Sequence, residues 1–593
     1  MNSFMPVGGT FLLDPVAAAR FVIPEECTTE QRQLAESARE FIEREVVPRD
    51  AEIEAGTPGV MPALLKKAGA LGLLMIEIPE RYGGLNLGKV TASIIAEAAT
   101  GQGSFIVAFI CHNGIGTLPI LYYGSAEQRQ RYLPRLATGE LLGAYALTEA
   151  ESGSDALAAK THATKTPDGS AYLLNGEKLF VTNGGFADLY TIFAKVDGER
   201  FTAFLVERGT PGLTVGPEEH KLGIHGSSTV PLGLQDVRVP VENVLGEVGK
   251  GHRIAFNILN VGRYKLGAAC IGGAKRILAI GVKYVRERRQ FGHALADFGA
   301  IQQKIAECAM RIFIGESMGH RYASALDAGL AGSDWQDEAA YERLRDVTKD
   351  LTIEASIVKV YGTEASSFIA DEVLQMHGGY GFLTEYAPAR YYTDLRINRI
   401  FEGTNEINRL LITGTLLKRI GDSTLDFLGA FQQLLAELKK GFPAVAVAEP
   451  LAVWQDQVNQ LKKLALYVGG VAVNTFGTEI EERQPVLMDV ANLIIATYAA
   501  DSGLGRVLKI WRTAGPEAAA LPAALVTTYL AERLPRCKIL ARQTLVNIAG
   551  GDAAVAKPYL KAVERFLPFV PADTAAGRCA IAAHVLAYGG YGW

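Results

Sequence analysis

An α+β fold that is mainly helical is predicted by three features: helical periodicity over residues 28–143, a change to short β-branched and aromatic runs over 144–245, and a return to helical periodicity beyond residue 250. Blocks in that order argue against alternating βαβ units. The 593 residues exceed one ordinary core, so roughly two to four domains are expected.

The first domain, 28–143, holds TTEQRQLAESAREFIEREVVPRD and PALLKKAGALGLLM, where apolar residues recur at three- and four-residue spacing and form one core-facing stripe. The second, 144–245, reads as a small antiparallel barrel or sandwich, because AYLLNGEKLFVTNGG, LYTIFAKVDGERFTAFLVERG and DVRVP are separated by Gly, Asn, Asp and Pro. A helical bundle follows over 250–421, in amphipathic segments such as AFNILNVGRYKLGAACIGGAKRILAIGVKYVRERRQ. An Ala- and Leu-rich helical extension, 423–593, contains the break GFPAVAVAEP.

Composition excludes several functions. A net charge of -5, from 59 basic and 64 acidic residues, leaves no broad basic field for nucleic acid. The six cysteines lie far apart without a C-x-x-C pair, so neither a disulfide framework nor a structural zinc site is expected. MNSFMPVGGTFLLDPVAAARF carries Pro and Asp within its apolar stretch and lacks a basic start, unlike a secretory signal or transit peptide. No run of 18 apolar residues is found, so no membrane-spanning segment is expected, and the expected setting is a reducing cytoplasm or a mature protein whose targeting segment is missing. The absence of a strand followed by G-x-G-x-x-G argues against a Rossmann site.

Five segments carry candidate chemistry. Ala146–Asp155 (ALTEAESGSD) ends a strand in small hydroxyl and Gly residues, offering Thr148 and Ser154 to a ligand, although such residues equally make a turn. Lys178–Gly185 (KLFVTNGG) offers the flat face of Phe180 and the hydroxyl of Thr182, or simply a buried strand and an Asn-Gly turn. Arg286–Gly292 (RERRQFG) suits a pyrophosphate, or the dipole of the helix it ends. The glycines of Gln375–Glu385 (QMHGGYGFLTE) permit close backbone approach. In Ile400–Leu410 (IFEGTNEINRL), Thr404 or Asn405 caps a helix with the apolar face Ile407, Leu410, Leu411 and Leu417, and Glu402 stands in the turn before it.

Together these segments resemble the acyl-CoA dehydrogenase family over about residues 28–420. Both A-L-T-E-x-x-S-G-S-D-x-x-A and Q-x-x-G-G-Y-G-F-x-x-E-x-x-x-x-R-x-x-x-D fit its signatures. KLGIHGSST, DVRVPVENVLGEVGKGH, ILNVGRY and the long extension are similar to the very-long-chain branch. The resemblance implies FAD as cofactor, touching Tyr145, Leu147, Thr148, Phe180, Thr182, Thr404 and Glu406, with Arg288, Gln290, Phe291, Gln375 and Gly379 reaching its adenosine diphosphate half across a subunit interface. Ser154, Asn260, Arg263 and Gly403 would lie along an acyl-CoA thioester, and Glu402 would remove its α-proton. Some relatives carry the base at the position matching Gly262, which here has no side chain.

The same resemblance implies an electron-transfer flavoprotein as acceptor and a homodimer whose extension occupies the place of a second dimer. Val107 and Cys111 match positions that close the acyl pocket, and their compactness implies long acyl chains, unless Phe109 or Tyr122 blocks the space. Two departures are Ala150 for the usual Pro, and Phe180 for a common Trp linked to electron exit. Burial raises the proton affinity of Glu402 while the helix terminus lowers it, and the sequence does not decide between them. The segment Val453–Val473 suits either packing on the bundle, the favoured reading, or peripheral membrane contact. An acyl-CoA oxidase and a non-catalytic scaffold are the alternative functions.

Overall fold

The structure is a computed structural model that describes residues 7–17, 19–442 and 451–593; most of the break at 441–450 lies outside the described residues. Helices from Thr29–Phe41 to Ala126–Ala137 build the N-terminal domain. Their starts follow from local chemistry: Thr28 and Ser125 accept from the N–H groups of Gln31 and Gln128, whose side chains return the bond.

Helix α1 (Gly103–Ile110) continues through a π-helical turn, Cys111–Gly116, into Leu118–Tyr123. The stretch Gly103–Tyr123 contains an 18-residue window of mean hydropathy 1.6, long and apolar enough to cross a membrane by length and composition alone. His112, Asn113 and Gly114 interrupt the apolar run and hide it from a residue-by-residue reading. The stretch is mostly buried in the protein, and His112 shows why a polar residue is tolerated there: Nε2 donates to the Leu136 carbonyl at 3.0 Å while Nδ1 accepts from Gly143 N at 3.1 Å. Burial lowers its pKa to about 4, which keeps it neutral in this role.

Eight strands form one sheet: β1 (Gly143–Ala146), β2 (His162–Lys165), β3 (Ala171–Thr182), β4 (Leu189–Val196), β5 (Arg200–Glu207), β6 (Leu213–Val215), β7 (Thr229–Pro240) and β8 (Val244–Leu245). The order is β6-β7-β3-β2-β4-β5-β8, with β1 also paired to β4. The expected purely antiparallel arrangement needs correction, since β1 and β2 both pair with β4 in parallel. Parallel pairing demands a long crossover, and the segments Leu147–Thr161 and Ala171–Thr182 supply the intervening chain. Irregular register between Lys178 and Val181 coincides with a left-handed Phe180 (φ 55°), whose ring is 60% exposed. Such an irregularity re-aims a side chain out of the sheet.

The bundle comprises α2 (Gly251–Glu287), α3 (Gly299–Leu330), α4 (Glu338–Asp350), α5 (Thr352–His377) and α6 (Asn405–Gly421). Helices α2 and α5 come close because a Cβ on Gly362 would lie 2.8 Å from the Gly267 carbonyl oxygen. The extension contributes α7 (Ala452–Phe476) and α8 (Gln484–Ile548), the latter broken at Gly515 (φ 88°, ψ 173°) just before Pro516. The Val453–Val473 segment lies in α7 and packs on α8, which in turn lies on α3 and α6 of the bundle. Its Lys462 is buried and pairs with Asp501 at 3.0 Å. Fully buried Arg506 of α8 ties Glu25, before the first domain, to Glu316 of α3 at 2.7 and 2.6 Å.

Candidate active site

A cavity of about 1910 Å³ opens between the sheet, the N-terminal half of α2, α4 and the start of α6. That exceeds the ~300–1,000 Å³ usual for one ligand and leaves room for two. Val107, Tyr145, Leu147, Thr148, Ser154, Phe180, Thr182, Asn260, Arg263, Glu402, Gly403 and Thr404 all line it, so residues distant in sequence converge on one space. Phe109 and Tyr122 do not stand in its wall; both are fully buried, and Tyr123 lines the space instead.

Glu402 occupies a turn that the sequence alone would not favour. It is left-handed (φ 58°), as is Gly403 (φ 78°), a conformation costing a side-chain-bearing residue about 1 kcal/mol. Donors from three helices hold that turn. Arg263 Nε of α2 donates to the Glu402 carbonyl at 3.2 Å, Lys359 Nζ of α5 donates to the Gly403 carbonyl at 2.8 Å, and Asn408 Nδ2 of α6 reaches the carbonyls of Glu402, Gly403 and Thr404 at 3.3, 2.7 and 3.0 Å. Thr404, rather than Asn405, is the cap of α6, accepting from Ile407 N at 3.2 Å. Asn405 turns inward, where Oδ1 accepts from Lys359 Nζ at 2.7 Å and Nδ2 donates to Glu364 Oε1 at 3.1 Å. Glu364 also accepts two bonds from Arg409, at 2.8 and 3.0 Å, and Arg409 Nε donates to Asn492 Oδ1 on α8 at 2.7 Å.

The carboxylate itself lies against Gly262. An added Cβ there would stand 2.6 Å from Glu402 Cδ and Oε2 and 2.7 Å from Oε1. Oε2 is buried with no hydrogen-bond partner among the described residues. Burial is the largest influence and raises the pKa to about 7, against the lowering pull of Arg263 and Lys359. The competition left open by the sequence is therefore won by desolvation, with the two buried cations Arg263 and Lys359 opposing it. Glu402 N–H donates to no acceptor among the described residues.

On the opposite wall, Glu149 of the ALTE segment accepts from Lys178 Nζ at 2.5 Å and from Lys160 N at 2.6 Å. Leu179 N donates to the Thr148 carbonyl at 2.8 Å, and together these bonds hold the Thr148 and Ser154 loop beside Phe180. The exposed Phe180 face and the hydroxyls of Thr148 and Thr182 present a flat apolar surface edged with polar groups.

Other expected residues lie elsewhere. Cys111 stands just behind the wall, its Sγ 3.8 Å from the Thr182 carbonyl, while Glu406 points outward from the first turn of α6. Arg288, Gln290, Phe291, Gln375 and Gly379 are exposed and outside the cavity. Arg288 lies 5.5 Å over the Tyr380 ring, which joins the two segments into one face where Phe291 is 91% and Phe382 83% exposed.

Sequence reading missed Lys359, Asn408, and the Glu149–Lys178 pair. It also misassigned the buried face of α6, which runs through Asn405, Asn408, Ile412, Thr413, Leu416 and Arg419, while Ile407 and Leu411 line the cavity. The helical spacing of the asparagines marks this face in the sequence, and a count of apolar residues alone passes over it.

Comparison with known proteins identifies this arrangement. The chain matches the acyl-CoA dehydrogenase N-terminal domain over residues 28–140, the middle domain over 144–237, and two C-terminal domain families over 249–417 and 460–565. It is 42% identical over 546 residues to a "Probable acyl-CoA dehydrogenase" of Bacillus subtilis, covering 92% of each chain. It is 37% identical to the mitochondrial very long-chain specific acyl-CoA dehydrogenase of Homo sapiens, covering 73% of this chain and 65% of that one. The crystal structure of an acyl-CoA dehydrogenase from Bacillus anthracis complexed with FAD superposes with a TM-score of 0.97 at 39% identity, covering 99% of this chain and 100% of the other. The chain belongs to the acyl-CoA dehydrogenase family.

Proposed function

We propose that the protein binds FAD and removes the α- and β-hydrogens of a long-chain acyl-CoA to give the trans-2-enoyl thioester, passing the electrons to an electron-transfer flavoprotein. The residues present fit the cofactor: the cavity has room for a second ligand, Phe180 offers a bare face, and Glu402, whose Oε2 is buried and unpartnered among the described residues, lines the same space. Tyr145, Leu147, Thr148, Phe180, Thr182 and Thr404 would hold it in this subunit. A bound flavin would supply the acceptor for the hydride leaving Cβ.

The chain's own contribution is proton abstraction. A thioester α-proton is weakly acidic, so a base must be close, dry and ionised, and negative charge growing on the carbonyl oxygen needs a donor. Glu402 meets the first need, because burial brings its pKa to about 7, near working pH. Its own free N–H is a donor available to the carbonyl oxygen. Val107, Ile400 and Phe401 line an apolar part of the wall that excludes water and accepts an alkyl chain. The observation that carries the reading is this buried, unpartnered carboxylate in a cavity large enough for two ligands. An intact base also argues against the scaffold alternative.

The exposed face around Phe291 and Phe382 supports a homodimer, in which Arg288, Gln290, Phe291, Gln375 and Gly379 would complete the partner's cofactor site. Sedimentation equilibrium of the holoprotein is expected to give a two-chain mass, and a single-chain mass refutes that part. The central test is anaerobic titration of the purified yellow protein with acyl-CoA thioesters from butyryl to stearoyl. Bleaching of the flavin that strengthens with chain length is expected. Protein without flavin, or flavin that no thioester bleaches, refutes the function, and rapid peroxide formation in air assigns the oxidase alternative.

A further inference from the structure

Lys359 lies in the middle of α5 with its side chain fully buried, a position where an apolar residue would ordinarily stand. Its ammonium has no carboxylate within bonding distance among the described residues; it donates to the Gly403 carbonyl at 2.8 Å and to Asn405 Oδ1 at 2.7 Å. Burying a cation against neutral acceptors is costly, and a purely structural role could be filled by a neutral donor. What the charge faces is informative: Glu402, Cys270 and Glu364 favour the ammonium, while Arg263 opposes it. Around Glu402, in turn, stand Arg263 from α2 and Lys359 from α5, with Tyr145 from β1 and Cys111 from the π-helical turn. Both of the latter are pushed further from ionisation by burial, so only the two cations act on the carboxylate across the working range.

Arg263 and Lys359 differ in a useful way. Arg263 is spoken for by Asn260 at 2.7 Å as well as by the Glu402 carbonyl, and it lines the cavity, where substrate would compete for it. Lys359 is absent from the cavity wall and approaches the turn from behind. Its partner Asn405 is in turn held by Thr363 at 3.1 Å and by Glu364. We propose that Lys359 is a positioning residue for the base, clamping the left-handed Glu402–Gly403 turn and supplying a positive charge from behind it that favours the ionised carboxylate. The inference rests on Glu402 as the base. Burial brings the Lys359 pKa down to about 8, above the value of about 7 for Glu402, so the ammonium is present on the acid limb where the carboxylate ionises.

The test separates proton abstraction from electron transfer. An acyl-CoA with a quaternary β-carbon has no β-hydrogen to lose, so wash-out of its α-deuterium, followed by NMR across pH in the holoprotein, reports the base alone. Lys359→Met is expected to retain FAD but to move the acid limb of exchange upward by about one pH unit, a roughly tenfold loss on the acid side of the limb. Lys359→Arg is expected to leave the limb in place and lower the plateau, because a planar fork does not fit two acceptors arranged for a point charge. If the Met variant does not fold, Lys359→Gln asks the same question with a neutral donor. A limb that stays put in the neutral variant overturns the proposal. Exchange that survives in Glu402→Gln, or is absent from the wild-type protein, overturns the assignment of the base instead.

Discussion

Substituting Gly262→Ala tests the active-site geometry with one methyl group. In a helix interior the change favours folding by up to ~1 kcal/mol. The new Cβ, however, would lie 2.6 Å from Glu402 Cδ and Oε2, well inside the 3.4 Å at which ordinary contact begins, so the carboxylate must retreat by about 0.8 Å. No backbone atom lies among the three nearest neighbours of that Cβ, and the atoms it meets are the free end of a flexible side chain. The fold should therefore survive while the base moves. Misplacing a reacting group by about 1 Å costs on the order of 10²-fold in rate. The expected result is a holoprotein that melts at or above the wild-type temperature and retains its flavin, yet is bleached by acyl-CoA about a hundredfold more slowly in anaerobic rapid mixing. Glu402→Gln sets the floor, since loss of a general base typically costs 10²–10⁴-fold. A Gly262→Ala protein with wild-type bleaching would refute the claim that the base works from its position against α2.

Two further outcomes follow from the same site. The pKa of Glu402, raised to about 7, predicts an acid limb in kcat/KM near pH 7, with about a tenth of the limiting rate left at pH 6; a limb near the ordinary carboxylate value refutes the desolvated site. Because the folded value lies above the unfolded one, this carboxyl stabilises the chain below about pH 4.5 and that contribution is lost as pH rises through about 7, a trend that Glu402→Gln should remove in thermal melts of the flavin-free protein. Val107→Phe, which fills part of the apolar wall, is expected to lower kcat/KM for the longest thioesters about tenfold relative to butyryl-CoA; an unchanged ratio places the alkyl chain elsewhere.

The block order of helix, sheet and helix was legible because a three- to four-residue period and an alternating one are different signals, and the expected start of the bundle helix at Gly251 coincides with α2. The convergence of Thr148, Phe180, Thr182 and Glu402 was legible only through motif resemblance, since nothing in local periodicity brings residues so far apart into one wall. The parallel pairings of β1 and β2 were not legible, because strand direction depends on where the chain crosses rather than on side-chain alternation. Lys359 and Asn408 escaped because a polar residue on a helical face looks solvated until the partner carbonyls of Glu402–Thr404 are seen.

The bonds from Asn492 through Arg409, Glu364 and Asn405 to Lys359 give the C-terminal tail a second meaning. A long appendage that merely filled a vacant surface could be trimmed with little harm to the chemistry. Here the turn that carries Glu402 is tied to the appendage itself, so damage on that helix is expected to disturb the seat of the proposed base as well as the fold.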